Sequence, residues 1–182
     1  MYAPINFFEI ISDYYKHMRK DLKPIPFIIT LIVIPFILSF LFIFTIKDEI
    51  GFYGNLINVS AILIPLLLNL LMIVYYSLER TESKQRKKIE YLEHINSTIS
   101  MTTLIAIFIL ILSLILSNLD FSQERTIADF LKTLNLNSNL ISVVLKFLLF
   151  YSVGFLIINV IISLVRVYRL IRYEIKEKSD PI

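Results

Sequence analysis

Few side chains in this sequence are equipped for chemistry, and their spacing does not assemble a catalytic set. Neither of the two histidines, His17 and His94, stands in a metal-binding pattern. Glu93 directly precedes His94, so on a helix the two side chains splay apart. Cysteine is absent, which removes disulfides, thiol nucleophiles and thiolate metal sites. HExxH, GxSxG, Walker and GxGxxG patterns are missing as well. The sequence therefore predicts a protein that is not an enzyme and uses no metal or cofactor.

The informative polar residues sit inside long apolar runs. Lys146 lies about six residues from the outer end of the last run, roughly 9 Å along a helix. A charge at the centre of a span costs about 2.5–3.5 kcal/mol on insertion scales, so such a residue invites a functional reading. A lysine near the end of a span can instead snorkel to the interface. Anchoring is the favoured reading of Lys146; a pore, ion-binding or lipid-headgroup role is the alternative. Asn69 and Asn159 are the other strongly polar positions in the runs. Interhelical hydrogen bonds in membranes are worth roughly 0.6–2 kcal/mol, which makes packing glue the first reading and lining of a narrow conduit the second. Pro35 and Pro65 each remove a helix hydrogen bond and predict kinks that shape the helices.

Two basic clusters are candidates for docking. One is Arg86, Lys87 and Lys88; the other is Arg166, Arg169 and Arg172, whose spacing sets them near one face of a helix. Acidic neighbours Glu82, Glu90, Glu93 and Glu174 dilute the field, so direct contact with nucleic acid is not expected. An acidic protein surface suits the arginine face better.

The elements that must position these residues are membrane helices. Hydrophobic residues make up 57% of the 182-residue chain, against about 45–50% in soluble domains. They are concentrated in runs of Ile, Leu, Phe and Val, with nearly all charges between the runs. Four spans are predicted: Pro24–Ile46, about Leu56–Leu78, Met101–Asn118 and about Leu140–Val165. Inside lipid every backbone amide must be bonded internally, so each span is a helix and the fold class is all-α. The chain is expected to form one four-helix transmembrane domain. About two dozen residues that include Glu9, Asp13 and Asp21 precede the first run, so it is not read as a signal peptide.

Orientation follows from lysine and arginine. Of 18 such residues, 14 fall in the N-terminal segment, the connection between the second and third spans, and the C-terminal segment. Lys47, Arg125 and Lys132 are the only ones in the opposite loops. The reading is a multi-pass protein of the cell (inner or plasma) membrane with both termini in the cytoplasm.

Helical periodicity continues outside the spans. Phe7, Ile11, Tyr14, Met18 and Leu22 predict an amphipathic interfacial helix over 5–23, ended by Pro24 and Pro26. Ile89, Leu92, Ile95 and Ile99 predict that 84–100 is a cytoplasmic extension of the third span. Leu170, Ile171 and Ile175 predict the same for 166–179 beyond the fourth. An outer amphipathic helix is expected over 122–134, from the Asp120/Gln123 capping spacing and Ile127, Phe130, Leu131 and Leu134. Tyr75 and Tyr76, with Phe52 and Tyr53 at the other side, read as aromatic belts. The Asn96-Ser97-Thr98 sequon falls on the cytoplasmic side and is given no role.

Four helices with few intramembrane polar groups make a poor solitary transporter. A homo-oligomer, such as a tetramer, is expected, in contact with membrane lipids and with a cytoplasmic protein partner. This organisation, with four spans, both ends inside, short outer segments and helical stalks, is similar to the membrane subunit of the Kiwa anti-phage defence system. The resemblance implies an oligomeric membrane sensor that holds a cytoplasmic effector and responds to disturbance of the envelope. Alternatives are a pore-forming effector that depolarises the membrane, and a small transporter or toxin-immunity protein.

Overall fold

The computed structural model describes residues 7–21, 24–46, 49–81, 85–121 and 138–179, nearly all of them helical. Helix α1 spans Phe7–Asp21, α2 Pro24–Ile28, α3 Ile34–Thr45, α4 Glu49–Arg80, α5 Arg86–Phe121 and α6 Ser138–Ser179. A π-helical turn at Ile29–Val33 joins α2 to α3. No strand occurs among the described residues. Four stretches are long and apolar enough to cross a membrane: Ile25–Thr45, Gly51–Arg80, Arg86–Asn118 and Val143–Arg172. The chain is an all-α, multi-pass membrane protein. The helix expected over 122–134 lies outside the described residues.

The helices stand in a row more than in a closed bundle. Helices α5 and α6 pack on each other at the centre, α4 lies against α5, and α3 lies against α6. Burial follows this order. The apolar windows of α5 and α6 are 56% and 50% buried within the chain, those of α2–α3 and α4 only 17% each. Two central helices thus carry the packing, and two outer helices present most of their surface outward.

Helix α5 can occupy the centre because its inward stripe is rich in small residues. Thr98, Thr102, Ala106, Ile109, Ser113 and Leu116 are all buried, at helical steps of three and four. Small residues let neighbouring backbones approach closely in a membrane. The buried threonines bond within their own helix, Thr102 to the Thr98 carbonyl at 2.6 Å and Thr103 to the Ile99 carbonyl at 2.8 Å. Leu92, Ile95 and Ile99 of the same helix join Leu67 and Val74 of α4 in one apolar cluster. The segment read as an extension of the third span thus packs against α4 through these residues.

Pro35 has a specific structural consequence. It has no N–H to offer the Leu31 carbonyl four residues earlier, and the chain widens into the π-helical turn just before it. The Tyr151 hydroxyl of α6 donates to that carbonyl at 3.2 Å. Helix α6 comes close enough to do so because Gly154 faces Pro35: a Cβ at position 154 would lie 3.2 Å from the Pro35 Cα and carbonyl oxygen. The distortion is seated on its neighbour. Pro65 differs, since α4 runs through it as α-helix with Pro65 on the exposed side.

The aromatic belt expected at the start of α4 is corrected in one residue. Tyr53 is fully buried, turned inward with the core that holds Leu112 and Leu116, while Phe52 sits beside Phe150 at 5.5 Å between ring centroids. Tyr75 and Tyr76 are exposed.

Candidate functional site

The most elaborate polar arrangement among the described residues lies where α1, the first third of α5 and the later part of α6 meet. Helix α1 is amphipathic, and its buried residues are Tyr14 and Met18, one turn apart. Tyr14 packs edge-on to Phe155 of α6, with 6.4 Å between centroids. One turn beyond Met18, near the C-terminal end of α1, the same side of the helix presents Asp21. The apolar rhythm that docks α1 thus delivers a carboxylate to the neighbouring helices.

Arg166 of α6 receives it. The Arg166 side chain is 6% exposed and donates to Asp21 Oδ2 at 2.7 Å. The same guanidinium donates to the His94 carbonyl at 2.8 Å, to the Thr98 hydroxyl, and to the Met18 sulfur at 3.0 Å. A buried cation needs both a counter-charge and satisfied donors. Here the counter-charge comes from α1 and the further acceptors from α5. The other Asp21 oxygen lies 3.2 Å from His94 Nδ1. With Nδ1 as the donor to this carboxylate, His94 Nε2 is left as a buried acceptor without a partner among the described residues.

His17 completes the junction. Its ring lies 4.5 Å from that of His94, and its Nδ1 is 3.1 Å from the Ser97 hydroxyl. Ser97 also donates to the His94 carbonyl at 3.1 Å, so its one proton is engaged and His17 Nδ1 is the donor to Ser97. Burial, and then the neighbouring His94, hold the His17 imidazole below its ordinary pKa. Burial likewise pushes the Tyr14 phenol upward, so it stays protonated. The His94 carbonyl accepts from Ser97, Thr98 and Arg166 together, a concentration of donors at one helix turn.

A cleft of about 180 Å³ opens beside the ion pair, bounded by Thr30 and Val165 and by Arg169 at its charged side. Asp21 is 29% exposed as a result, and the pair is not sealed from its surroundings. The junction can hold a charge, bind a proton and tie three helices together. No group of three histidine, aspartate or glutamate side chains converges to hold a metal among the described residues.

The residues singled out in the sequence separate in space. Arg166 does not belong to a surface cluster with Arg169 and Arg172: it is buried in the junction, while the other two are exposed. Arg86 and Lys87 are exposed and Lys88 is half-buried. Asn159 is fully buried and donates to the Phe155 carbonyl of its own helix at 2.8 Å. Asn69 lies on the exposed side of α4, and Lys146 is half-buried near the start of α6. These last three do not line a common path within one chain. Asp21 and the pairing of His17 with His94 escaped the sequence reading. The available signal was the helical spacing of Tyr14, Met18 and Asp21, at steps of four and three, which an apolar stripe through Leu22 obscures.

The fold and junction define a multi-pass helical membrane protein with an N-terminal helix bound to its spans by a part-buried ion pair. No family model, curated protein or solved structure matches the chain.

Proposed function

We propose that this chain is a membrane-embedded sensor or anchor that recruits a cytoplasmic effector protein, acting in bacterial anti-phage defence. The observation that carries the reading is the three-way junction of Asp21, Arg166 and His94. An amphipathic N-terminal helix needs no ion pair to a spanning helix to rest on a membrane. One that is bound to the foot of two spanning helices moves with them, so displacement of α5 or α6 is transmitted to α1 and to exposed Arg86, Lys87, Arg169 and Arg172. The distribution of basic residues supports a cytoplasmic location for this end of the protein and an inner-membrane setting. The defence role rests on similarity of organisation to the Kiwa membrane subunit.

The test is capture of cytoplasmic proteins by the full chain in lipid nanodiscs. One partner is expected to be enriched by the native chain and lost when Arg86, Lys87, Arg169 and Arg172 are all changed to glutamine. Recovery of no partner, or equal recovery by the variant, overturns the reading. A pore-forming effector predicts instead that vesicles containing the protein leak ions.

A further inference from the structure

Helix α4 carries two opposite seams. On one side Tyr53, Ser60, Leu67 and Val74 recur every seven residues and are at most 7% exposed. On the other side Val59, Ile62, Leu66, Asn69, Ile73 and Tyr76 follow one another at alternating steps of three and four, and every one is exposed. Such alternation averages 3.5 residues, the repeat that keeps one stripe of a helix facing a parallel partner. The stripe is about 26 Å long at ~1.5 Å per residue. Because α4 stands at the outside of the row and packs chiefly on α5, none of the described residues covers it.

Asn69 indicates what does. Its neighbours on the stripe are apolar, and its amide makes no hydrogen bond among the described residues. An amide offers two donors and an acceptor, and lipid tails supply neither. It is also self-complementary, so two such groups meeting across a two-fold axis satisfy each other. Two copies inserted with the same topology run parallel, and every residue of the stripe then meets its own counterpart. A different protein would need a polar group at the matching height; a second copy has one by symmetry.

We propose that two copies of this chain pair in parallel through the outer seam of α4, with the Asn69 amides hydrogen-bonded across the two-fold axis. Ile62, Leu66 and Ile73 form the apolar layers on either side. The seam lies on the far side of α4 from α5 and shares no residue with the Arg166 junction, so pairing does not depend on the anchoring role.

The native chain has no cysteine, which permits single-cysteine scanning of the full protein in membranes. Ile62→Cys, Leu66→Cys and Ile73→Cys are expected to form disulfide-linked dimers on mild oxidation. Leu68→Cys and Leu70→Cys, also exposed but to either side of the stripe, are the controls. They are expected to cross-link several-fold less. In a dilution series in vesicles, Asn69→Leu is expected to weaken pairing by roughly 3- to 30-fold, the range of one interhelical hydrogen bond in a membrane. Asn69→Gln is expected to retain most of it. Equal cross-linking at the control positions indicates random collision between lipid-covered helices and overturns the proposal. Undiminished pairing of Asn69→Leu, or more than two subunits per particle by photobleaching, overturns it as well.

Discussion

Asp21→Ala offers the sharpest test of the junction, because it leaves a buried guanidinium without its counter-charge. Removing one partner of a fully buried ion pair costs about 3–5 kcal/mol. The Arg166 side chain qualifies as buried at 6% exposed, but Asp21 is 29% exposed and the adjoining cleft admits solvent, so the effect is reduced to about 2–3 kcal/mol. That loss falls on the docking of α1, since undocking rehydrates the orphaned charge. The equilibrium for local opening of Phe7–Asp21 is then expected to rise by roughly 30- to 150-fold, at tenfold per ~1.4 kcal/mol. Amide hydrogen exchange of α1, with the full chain in nanodiscs, reads this directly. Arg166→Met is expected to loosen α1 less, by about 1 kcal/mol, because the remaining carboxylate is partly hydrated and keeps His94 as a donor. Unchanged exchange in Asp21→Ala, or greater loosening in Arg166→Met, would refute the assignment of Arg166 as the group that holds α1.

Three further outcomes are expected. Gly154→Val should destabilise the protein by about 1–3 kcal/mol, because its Cβ meets Pro35 backbone that cannot yield; Gly54→Ala, with nothing near its Cβ, should stabilise by up to about 1 kcal/mol, both read by thermal unfolding. Tyr151→Phe should cost about 1 kcal/mol by removing the donor to the Leu31 carbonyl, and should cost less in a Pro35→Ala background, where residue 35 can itself donate; a double-mutant cycle measures the difference. The depressed pKa of His17 means that protonation favours its released state, so α1 docking should be full above about pH 7 and weaken as pH falls below the ordinary value of 6.5. Burial depresses the His17 pKa most, with His94, Asp13, Lys20 and Glu93 as the neighbouring charges, and His17→Gln should remove the part of the pH dependence due to His17, seen as hydrogen exchange of α1 against pH.

The four spanning stretches were legible in the chain because lipid imposes a one-dimensional rule: a run of about 20 apolar residues without charge must be helix. Burial within each helix was less legible. In a membrane both lipid-facing and protein-facing positions are apolar, so hydropathy does not separate Leu66, exposed, from Leu67, buried. Tyr53 shows the same ambiguity, having the type of a belt residue and the burial of a core residue.

The junction shows where sequence reasoning stops. Arg166 has the same residue type and helical spacing as Arg169 and Arg172, and sequence groups the three. What separates them is that Asp21, Thr98 and the His94 carbonyl arrive from two other helices, near enough to replace the water that a guanidinium requires. Pro35 was visible as a break in the first span, but the Tyr151 hydroxyl and Gly154 that accommodate it are contributed by the last. Sequence by itself determined the class, the number of spans and the end at which positive charge gathers, because those depend on transfer of each segment between water and lipid. Tertiary structure alone decided which charge is buried, which helices are central and which face of α4 is left uncovered, because these depend on contacts between segments far apart in the chain.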